Sequence, residues 1–322
     1  MRRRGPEFWG IQTMTFTRLS SVLCAVLLGC GVSFAGGTFD TLVLTASTDK
    51  EVLYQYMPVV LTVKLQNPTD YVVSGNKSLT AIRHLVVTLT SPAGEKTVVD
   101  YRYGVTTGLT TPPRKGRMAR GEEVAHSILV PHRYVETPGK YQIEVQFYDV
   151  DGRNSVRANV VKLRVARLPA SEAAAAEYLR SNGLLGVLSL IPMGMRADEG
   201  EFVDLCMFRF SVFGDSIFQP YVDAAIAKAL LRSQPRGPAR DEGEALAMSL
   251  LESSAASPGY TQARFALMRI AMLPSATDSV RTRAYGRVIA GWPGTPEATK
   301  AIRILWRMIQ PATRYRAPFR PK

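Results

Sequence analysis

Cysteine is scarce in this sequence, and its scarcity excludes a disulfide-based fold. The chain of 322 residues has three cysteines, and two of them, Cys24 and Cys30, lie within an apolar run near the amino terminus. Only Cys206 remains for the rest of the chain, so no internal disulfide can form there. Because Cys206 lies in an apolar stretch with no base nearby in sequence, we interpret it as a buried small hydrophobic residue and not as a nucleophile.

Histidine is equally rare, which argues against metal binding and against hydrolysis. His84, His126 and His132 show no spacing typical of a metal site, so neither a metal nor another cofactor is expected. Residues 212–217, Val-Phe-Gly-Asp-Ser-Ile, resemble the nucleophile block of Gly-Asp-Ser-type esterases, and the resemblance implies Ser216 as the nucleophile. That family places its histidine base near the carboxyl end, whereas every histidine here precedes Ser216. A Ser-dependent hydrolase is therefore the least favoured interpretation, and Ser216 is predicted to cap a helix.

Long apolar runs are absent except near the amino terminus, where residues 19–34 follow Arg18. A basic residue, a short apolar core and small residues at the end are typical of a secretory signal. The small residue Ala35 predicts cleavage before Gly36, and the apolar run is shorter than the ~20 residues that span a bilayer. The protein is therefore expected to be exported to the periplasm or beyond.

A second processing route competes with this one. Residues 27–30, Leu-Leu-Gly-Cys, resemble a bacterial lipobox, and the resemblance implies lipidation of Cys30 and a membrane-anchored lipoprotein. Residues 1–13 fit poorly in front of a short signal, so Met14 is a candidate true start. Residues 1–35 are accordingly set aside as a signal region, with both routes left open.

Acidic residues are outnumbered, and the formal net charge is +13. The basic side chains concentrate in a cluster at residues 114–120, namely Arg114, Lys115, Arg117 and Arg120. Such a cluster attracts anionic surfaces, which for an exported protein are acidic glycans or lipid head groups. Nucleic acid is not an expected partner, because a signal directs the chain away from it. Residues 311–322, which are basic and rich in proline, are predicted to be disordered.

Residues 36–167 show apolar side chains at every second position. In the run 59–66, for example, Val59, Leu61, Val63 and Leu65 alternate with more polar neighbours before Asn67-Pro68 ends it. Strands are also predicted at 85–90, 96–103, 124–130, 141–147 and 156–165. Short strands without intervening helices favour an antiparallel sandwich. Residues 57–67 and 138–145 resemble strands of the immunoglobulin-like modules common in exported bacterial proteins, although the paired cysteines of antibody domains are absent.

In residues 168–310 the spacing of apolar side chains is that of a helix; the change from a period of two occurs near Pro169. Ser171 is predicted to cap a helix that Asn182-Gly183 ends, and later helices are predicted at 242–253, 261–272, 278–289 and 296–309. Aligning Pro258 with Pro293 superimposes Gly259 on Gly294 and Leu267 on Ile302, an offset of 35 residues that is typical of helical-hairpin repeats. Together with Tyr285, Ala290, Ala298 and Ala301, the segment 292–295 resembles degenerate tetratricopeptide-type repeats of bacterial envelope proteins.

The predicted protein is thus multidomain, all-β followed by all-α: an immunoglobulin-like antiparallel sandwich and then α-helical hairpin repeats. Stacked helical hairpins form continuous surfaces for extended protein segments. The expected function is non-enzymatic, a cell-envelope adaptor or scaffold that binds a protein or peptide through its helical-repeat surface. The alternative is a module that binds acidic glycan or lipid head groups through the basic cluster.

Overall fold

The computed structural model describes residues 38–76, 79, 84–100, 115–189, 199–233 and 238–309. Predictions for the signal region, for Cys30, for the side chains of Arg114 and Lys115 and for the tail 311–322 lie outside the residues or side chains described. All described residues belong to one compact unit. None of the described helices is long and apolar enough to cross a membrane.

The first part of the chain forms strands and the second part forms helices, as the two periodicities predict. The described strands are β1 (Val43–Thr48), β2 (Val52–Tyr54), β3 (Val59–Gln66), β4 (Val73–Asn76), β5 (Leu85–Thr90), β6 (Lys96–Val98), β7 (Lys115–Met118), β8 (Glu123–Val130), β9 (Gly139–Tyr148), β10 (Ser155–Arg157) and β11 (Val161–Ala166). The described helices are α1 (Ala173–Ser181), α2 (Leu184–Ser189), α3 (Glu199–Phe210), α4 (Gln219–Ser233), α5 (Pro238–Ala256), α6 (Ala263–Ala271), α7 (Asp278–Gly291) and α8 (Pro296–Ile309).

The strands assemble into two main sheets that share one hydrophobic core. One sheet has the order β1-β3-β8, and the other has the order β2-β11-β9-β5-β6, with β10 beside β9. All pairings are antiparallel except that of β11 with β2. Leu61 and Val63 of the first sheet belong to the same buried cluster as Ile143 and Val145 of the second.

Strand β3 is buried on both faces over most of its length, which simple alternation does not predict. Val59, Leu61, Val63 and Leu65 point into the core between the sheets. Val60 and Thr62 lie on the opposite face and are nonetheless buried. They are buried because the helical part covers this face of the sheet, and in β8 the same cover buries Ser127 and Leu129.

Three local predictions need correction. The strand predicted at 96–103 is shorter in the structure: β6 ends at Val98, and the described residues 99 and 100 are not in a strand. The predicted strand 156–165 is divided into β10 and β11, and between them the side chain of Asn159 accepts a hydrogen bond from the Ala46 N–H and donates one to the Ala46 carbonyl, both at 2.9 Å. Asn159 thereby links the second sheet to β1 of the first through two hydrogen bonds. Ser171 does not cap α1, which follows a 3-10 turn at Ala170–Glu172.

The last two helices agree closely with their predicted bounds, whereas α5, predicted at 242–253, runs from 238 to 256 and α6, predicted at 261–272, runs from 263 to 271. Helices α7 and α8 begin at the predicted residues, and Thr277 caps α7 through its side chain. The two aligned segments bury their small residues at corresponding positions. Ala263 and Ala266 of the first segment are buried, and so are their counterparts Ala298 and Ala301 in the second. Burial differs at the aligned positions 267 and 302, because Leu267 is buried whereas Ile302 is more than half exposed.

Candidate functional site

Arg264 of α6 is fully buried where the helices meet the first sheet. Its Nη1 lies 2.6 Å from Oδ1 and 2.7 Å from Oδ2 of Asp49, which follows β1. Its Nη2 donates to the hydroxyl oxygens of Thr62 and Ser127, each at 3.1 Å. A guanidinium has five N–H donors in a rigid fork, so one side chain can hold several strands at once.

Glu297 of α8 completes this buried group of residues, which we call the Arg264 cluster. Its Oε2 lies 3.1 Å from Nε of Arg264, an ion-pair distance without hydrogen-bond alignment, and accepts a hydrogen bond of 3.0 Å from Ser127. The side chains of Asp49 and Glu297 are only 11% and 14% exposed. Helices α6 and α8 are therefore joined to β3 and β8 through one guanidinium.

Each of the two aligned segments has a Pro-Gly turn before its helix, and we call these turns the Pro-Gly elbows: Pro258-Gly259 precedes α6 and Pro293-Gly294 precedes α8. Both elbows face the sheet, each beside a lysine. Lys50 Nζ donates to the Pro258 carbonyl at 3.2 Å. Lys64 Nζ would lie 2.8 Å from a Cβ placed on Gly294, whose φ of +74° is in the left-handed region. Next to the first elbow, Thr261 donates to the Pro58 carbonyl at 3.2 Å. The elbows of the aligned repeat are thus contact points between the helical part and the sheet.

A cleft lies where loops of the sheet part meet α1, and we call it the junction cleft. It consists of two adjoining recesses of about 480 and 490 Å³ that share Tyr56, Glu177 and Arg180. The first recess is also lined by His132, Glu136, Gly183, Leu185 and Gly186. The second is also lined by Gln55, Arg167, Leu168, Pro169, Ala170, Ala173 and Ala176. Volumes of this size are typical of ligand sites.

Tyr56 holds an unusual backbone conformation in the middle of the junction cleft. Its φ is +66°, and no other described residue except glycine has a positive φ. For a bulky side chain this conformation is unfavourable, and such residues concentrate at functional sites. Tyr56 also packs against the hydrophobic core of the helices, so the neighbouring structure holds it in place.

The polar recess of the junction cleft contains more carboxylates than cations. Arg180 holds Glu177 through bonds of 2.7 to 3.0 Å, and His132 Nε2 lies 3.9 Å from Glu136 Oε1. Burial, assisted by the charge of Arg133, lowers the pKa of His132 to about 4. His132 is therefore neutral at pH 7, and the two carboxylates face one guanidinium.

A row of exposed apolar side chains runs along α3. Val203, Met207 and Phe210 are 54%, 62% and 81% exposed, and Val212 just beyond the helix is 93% exposed. The first three residues are spaced i, i+4 and i+7, so they lie on one face of the helix. We call these four residues the α3 stripe. Apolar side chains grouped in this way usually mark a contact surface.

Of the residues singled out in sequence, those that the structure describes do not come together in one site. Arg117 is exposed on β7, and Arg120 pairs with Asp70 at 2.7 Å. The basic cluster at 114–120 thus includes the strand β7, which pairs with β4. Cys206 is half-buried, not buried, and partial burial raises the pKa of its thiol.

Ser216 lies in the turn before α4 and takes part in a structural hydrogen-bond group. Its hydroxyl donates to Oε2 of the buried Glu172 at 2.6 Å and accepts from the Phe218 N–H at 3.2 Å. Glu172 also accepts from the Ile217 N–H. Through its Oε2 atom, this carboxylate connects the start of α1 to the turn that precedes α4.

The sequence interpretation missed the Arg264 cluster and the junction cleft. Arg264 follows Ala263 directly and precedes Ala266 by two positions, and neither spacing places two residues on the same face of a helix, so the local pattern did not indicate that Arg264 is buried. The cleft residues come from segments around positions 56, 132, 167 and 180, and no motif connects them. Among the described residues, no group of three or more His, Cys, Asp and Glu side chains could hold a metal ion.

The similarities to the solved structures named below are weak. No family model matches the sequence, and no curated protein matches it. A β-glucosidase from Listeria innocua is 14% identical with a TM-score of 0.25, over 39% of this chain and 16% of its own. Spo0M, a sporulation control protein from Bacillus subtilis, is 9% identical with a TM-score of 0.26, over 44% and 55%. BslA, a bacterial hydrophobin, is 12% identical with a TM-score of 0.23, over 40% and 97%. TM-scores this low do not establish a shared fold, and no function follows from them.

Proposed function

We propose that this protein is a non-enzymatic adaptor of the cell envelope that binds a partner protein through its helical part. The observation that carries the proposal is the α3 stripe, in which Val203, Met207, Phe210 and Val212 are each more than half exposed. Leaving four large apolar side chains in water within ten residues is costly, and a partner that covers them would recover that free energy.

The finer architecture belongs to the same proposal. We infer that the two sheets form an immunoglobulin-like sandwich and that α5 to α8 form two tetratricopeptide-type hairpins. The shared core of the sheets supports the first inference. The 35-residue offset between the elbows and the burial of Ala263, Ala266, Ala298 and Ala301 support the second. The buried Arg264 would then keep the hairpins in one orientation on the sandwich.

The partner that best fits the α3 stripe is an amphipathic helix of another protein. The stripe is one residue wide and lies on a helix of 12 residues, which is about 18 Å long. A narrow ridge of this kind packs between apolar side chains of a facing helix, in the way that ridges fit grooves. A flat sheet or a polymer would contact the ridge poorly.

Site-specific photo-crosslinking tests this proposal in the native host. A photoreactive phenylalanine analogue replaces Met207 in one variant and Leu246, an isolated exposed residue on α5, in the control. We expect a protein adduct from position 207 only, and we expect Phe210→Glu to abolish it without lowering the thermal midpoint. Equal adducts from both positions, no adduct from position 207, or an adduct with a second copy of this chain would overturn the adaptor proposal.

Location is tested separately by the intact mass of the protein recovered from an envelope fraction. A mature chain that begins at Gly36 would support a soluble exported protein. A diacylated or triacylated chain that begins at Cys30 would support a lipoprotein. A full-length chain found only in the cytosol would contradict the envelope part of the proposal and leave the contact surface on α3 to be judged by crosslinking.

A further inference from the structure

The outward side of α8 carries two parallel rows of exposed side chains, one apolar and one basic. Ile302 and Trp306 are 52% and 64% exposed and form the apolar row. Lys300, Arg303 and Arg307 are exposed as well and form the basic row. The spacing is i, i+4 in the first row and i, i+3, i+7 in the second, so each row follows the helix axis. We call these five side chains the α8 face.

No carboxylate balances the basic row within the part of the chain that the structure describes. Lys300, Arg303 and Arg307 form no ion pair with a described residue. Glu297 is the only acidic residue in the sequence of α8, and it pairs with the buried Arg264. Arg303 and Arg307 lie four positions apart, where like charges repel each other and destabilise a helix. An anionic surface against this row would offset the repulsion.

The side chains of the α8 face suit the interface between lipid head groups and acyl chains. Tryptophan combines an apolar ring with an N–H donor, and for this reason it concentrates at that interface. Arginine and lysine have long apolar stems, so their charged ends reach phosphate groups while the stems stay beside the apolar row. Met272 adds apolar area next to this face, since it is 48% exposed and its sulfur lies 3.9 Å from Nζ of Lys300.

The sequence that follows α8 has the same chemical character. Residues 311–322 have no acidic side chain, and their basic and aromatic residues are Arg314, Tyr315, Arg316, Phe319, Arg320 and Lys322. This segment therefore offers the basic row no counter-charge. The anion that complements the α8 face belongs to another molecule.

We propose that the α8 face binds the surface of an anionic phospholipid bilayer, with Ile302 and Trp306 among the head groups and the basic row against lipid phosphates. A bilayer is favoured over an acidic protein because it presents an apolar layer beside an anionic one along the whole helix, which is about 21 Å long. Glu297 joins α8 to the Arg264 cluster, so the helix stays attached to the sheet when it binds. The contact does not involve the α3 stripe and does not depend on the proposed adaptor function.

Co-sedimentation with vesicles tests the proposal, using the chain that begins at Gly36, which contains the whole compact unit. One set of vesicles contains equal parts of phosphatidylglycerol and phosphatidylcholine, and the other contains phosphatidylcholine alone. We expect binding to the neutral set to be weaker by about tenfold or more. Because each cation near an anionic bilayer contributes about fivefold, Arg303→Gln combined with Arg307→Gln should weaken binding to the anionic set about 25-fold.

Two variants provide matched controls. Lys162→Gln combined with Arg164→Gln removes two exposed cations of β11, so the net charge falls by the same amount. This double variant should change the affinity less than about twofold, because its cations lie on another surface. Phe210→Gln removes an apolar side chain of the α3 stripe and should bind the vesicles as the unaltered chain does. The thermal midpoint should stay the same in all these variants, since every altered side chain is exposed.

Trp306 also supplies an optical signal of contact. Its emission should move to shorter wavelength on anionic vesicles, because the indole ring leaves water. The movement should be absent in Trp306→Phe, in which Trp292 is the remaining tryptophan of the chain from Gly36. Trp306→Gln, which removes the aromatic ring, should weaken binding about tenfold.

Four results would overturn the proposal: equal binding to both sets of vesicles, unchanged affinity after loss of both arginines of α8, an unmoved Trp306 emission, or loss of binding in Phe210→Gln. An affinity that depends instead on Arg117 and Arg120, or on residues 311–322, would overturn it by assigning lipid binding to those segments. Binding of polyglutamate but not of vesicles through the α8 arginines would overturn it in favour of an acidic polypeptide. The double arginine variant should keep the crosslink from position 207, so failure of the adaptor proposal would be distinguishable from failure of this one.

Discussion

Arg264 and Asp49 form a doubly hydrogen-bonded ion pair, with Nη1 at 2.6 and 2.7 Å from the two carboxylate oxygens, between a helix and the sheet it covers. The guanidinium is fully buried. Burial raises the pKa of Asp49, while the adjacent guanidinium acts in the opposite direction. The pair therefore carries a large desolvation cost, and its value to the fold depends on all its partners being present.

Replacing Arg264 with methionine should lower the free energy of unfolding by about 3 to 5 kcal/mol, because Asp49 and Glu297 would remain buried without a cation. Urea unfolding at pH 7 measures the change. The matched control is Lys96→Met, which removes an exposed ion pair with Glu144 and should cost less than about 1 kcal/mol. Equal losses of unfolding free energy in the two variants would show that the buried ion pairs of Arg264 stabilise the fold no more than an exposed pair does.

Gly139→Ala should destabilise the second sheet by about 2 kcal/mol or more. Gly139 has a φ of +147°, and an added Cβ would lie 2.5 Å from Cγ and 2.6 Å from Cβ of Pro92. Gly152→Ala is the control, since Gly152 also has a positive φ but faces open space. Thermal unfolding of the two variants should differ, and an equal loss would mean that contact with Pro92 is unimportant.

Gly286→Ala should raise the free energy of unfolding by roughly 0.5 to 1 kcal/mol. Gly286 lies inside α7 on its exposed side, and a Cβ there would meet no atom within 4 Å. Alanine therefore restricts the unfolded chain without straining the helix. The reverse change in the same helix, Ala290→Gly, should lower stability by a comparable amount, and chemical denaturation of both variants provides the measurement.

Acidification should weaken the fold between pH 6.5 and about 4 through two partly buried histidines. Burial lowers the pKa of His126 to about 4, and burial with the charge of Arg133 does the same for His132. In this window the unfolded chain binds protons that the folded chain does not, so the free energy of unfolding falls as pH falls. The loss from pH 7 to pH 5 should be about 2 kcal/mol for each histidine.

The variant His126→Gln isolates this effect from the titration of carboxylates. Its free energy of unfolding, measured by urea denaturation at several pH values, should decline by about 2 kcal/mol less than that of the unaltered protein between pH 7 and pH 5. Parallel curves for the two proteins would show that His126 accepts a proton equally well in the folded and unfolded states.

Local sequence patterns predict the helices α7 and α8 well because capping residues and Pro-Gly elbows act within a few positions. The same patterns fail for the outer face of β3. Thr62 reads as a solvent-facing residue in an alternating strand, and its burial depends on Arg264, which is 202 positions away. An arginine on a helix is normally solvated, so its burial could not be read from its neighbours alone.

The candidate site shows the same limit more strongly. The junction cleft brings together Gln55, Glu136 and Leu168, which are joined by hydrogen bonds over 81 and 113 positions. No spacing rule connects residues at such separations. The exposure of Ile302 could not be predicted for another reason. Its counterpart in the aligned segment, Leu267, is buried, and the alignment does not show that different parts of the structure cover the two helices.

From the sequence separation of the residues in the Arg264 cluster we expect an order of folding. Asp49 leaves the ribosome 215 residues before its partner, and Glu297 follows later still. Until those helices are made, the outer face of β3 and β8 has Val60 and Leu129 open to water, and this apolar surface can bind the wrong chain. A nascent chain that stalls before α6 should therefore depend on chaperones, and dependence should end once α8 has been synthesised.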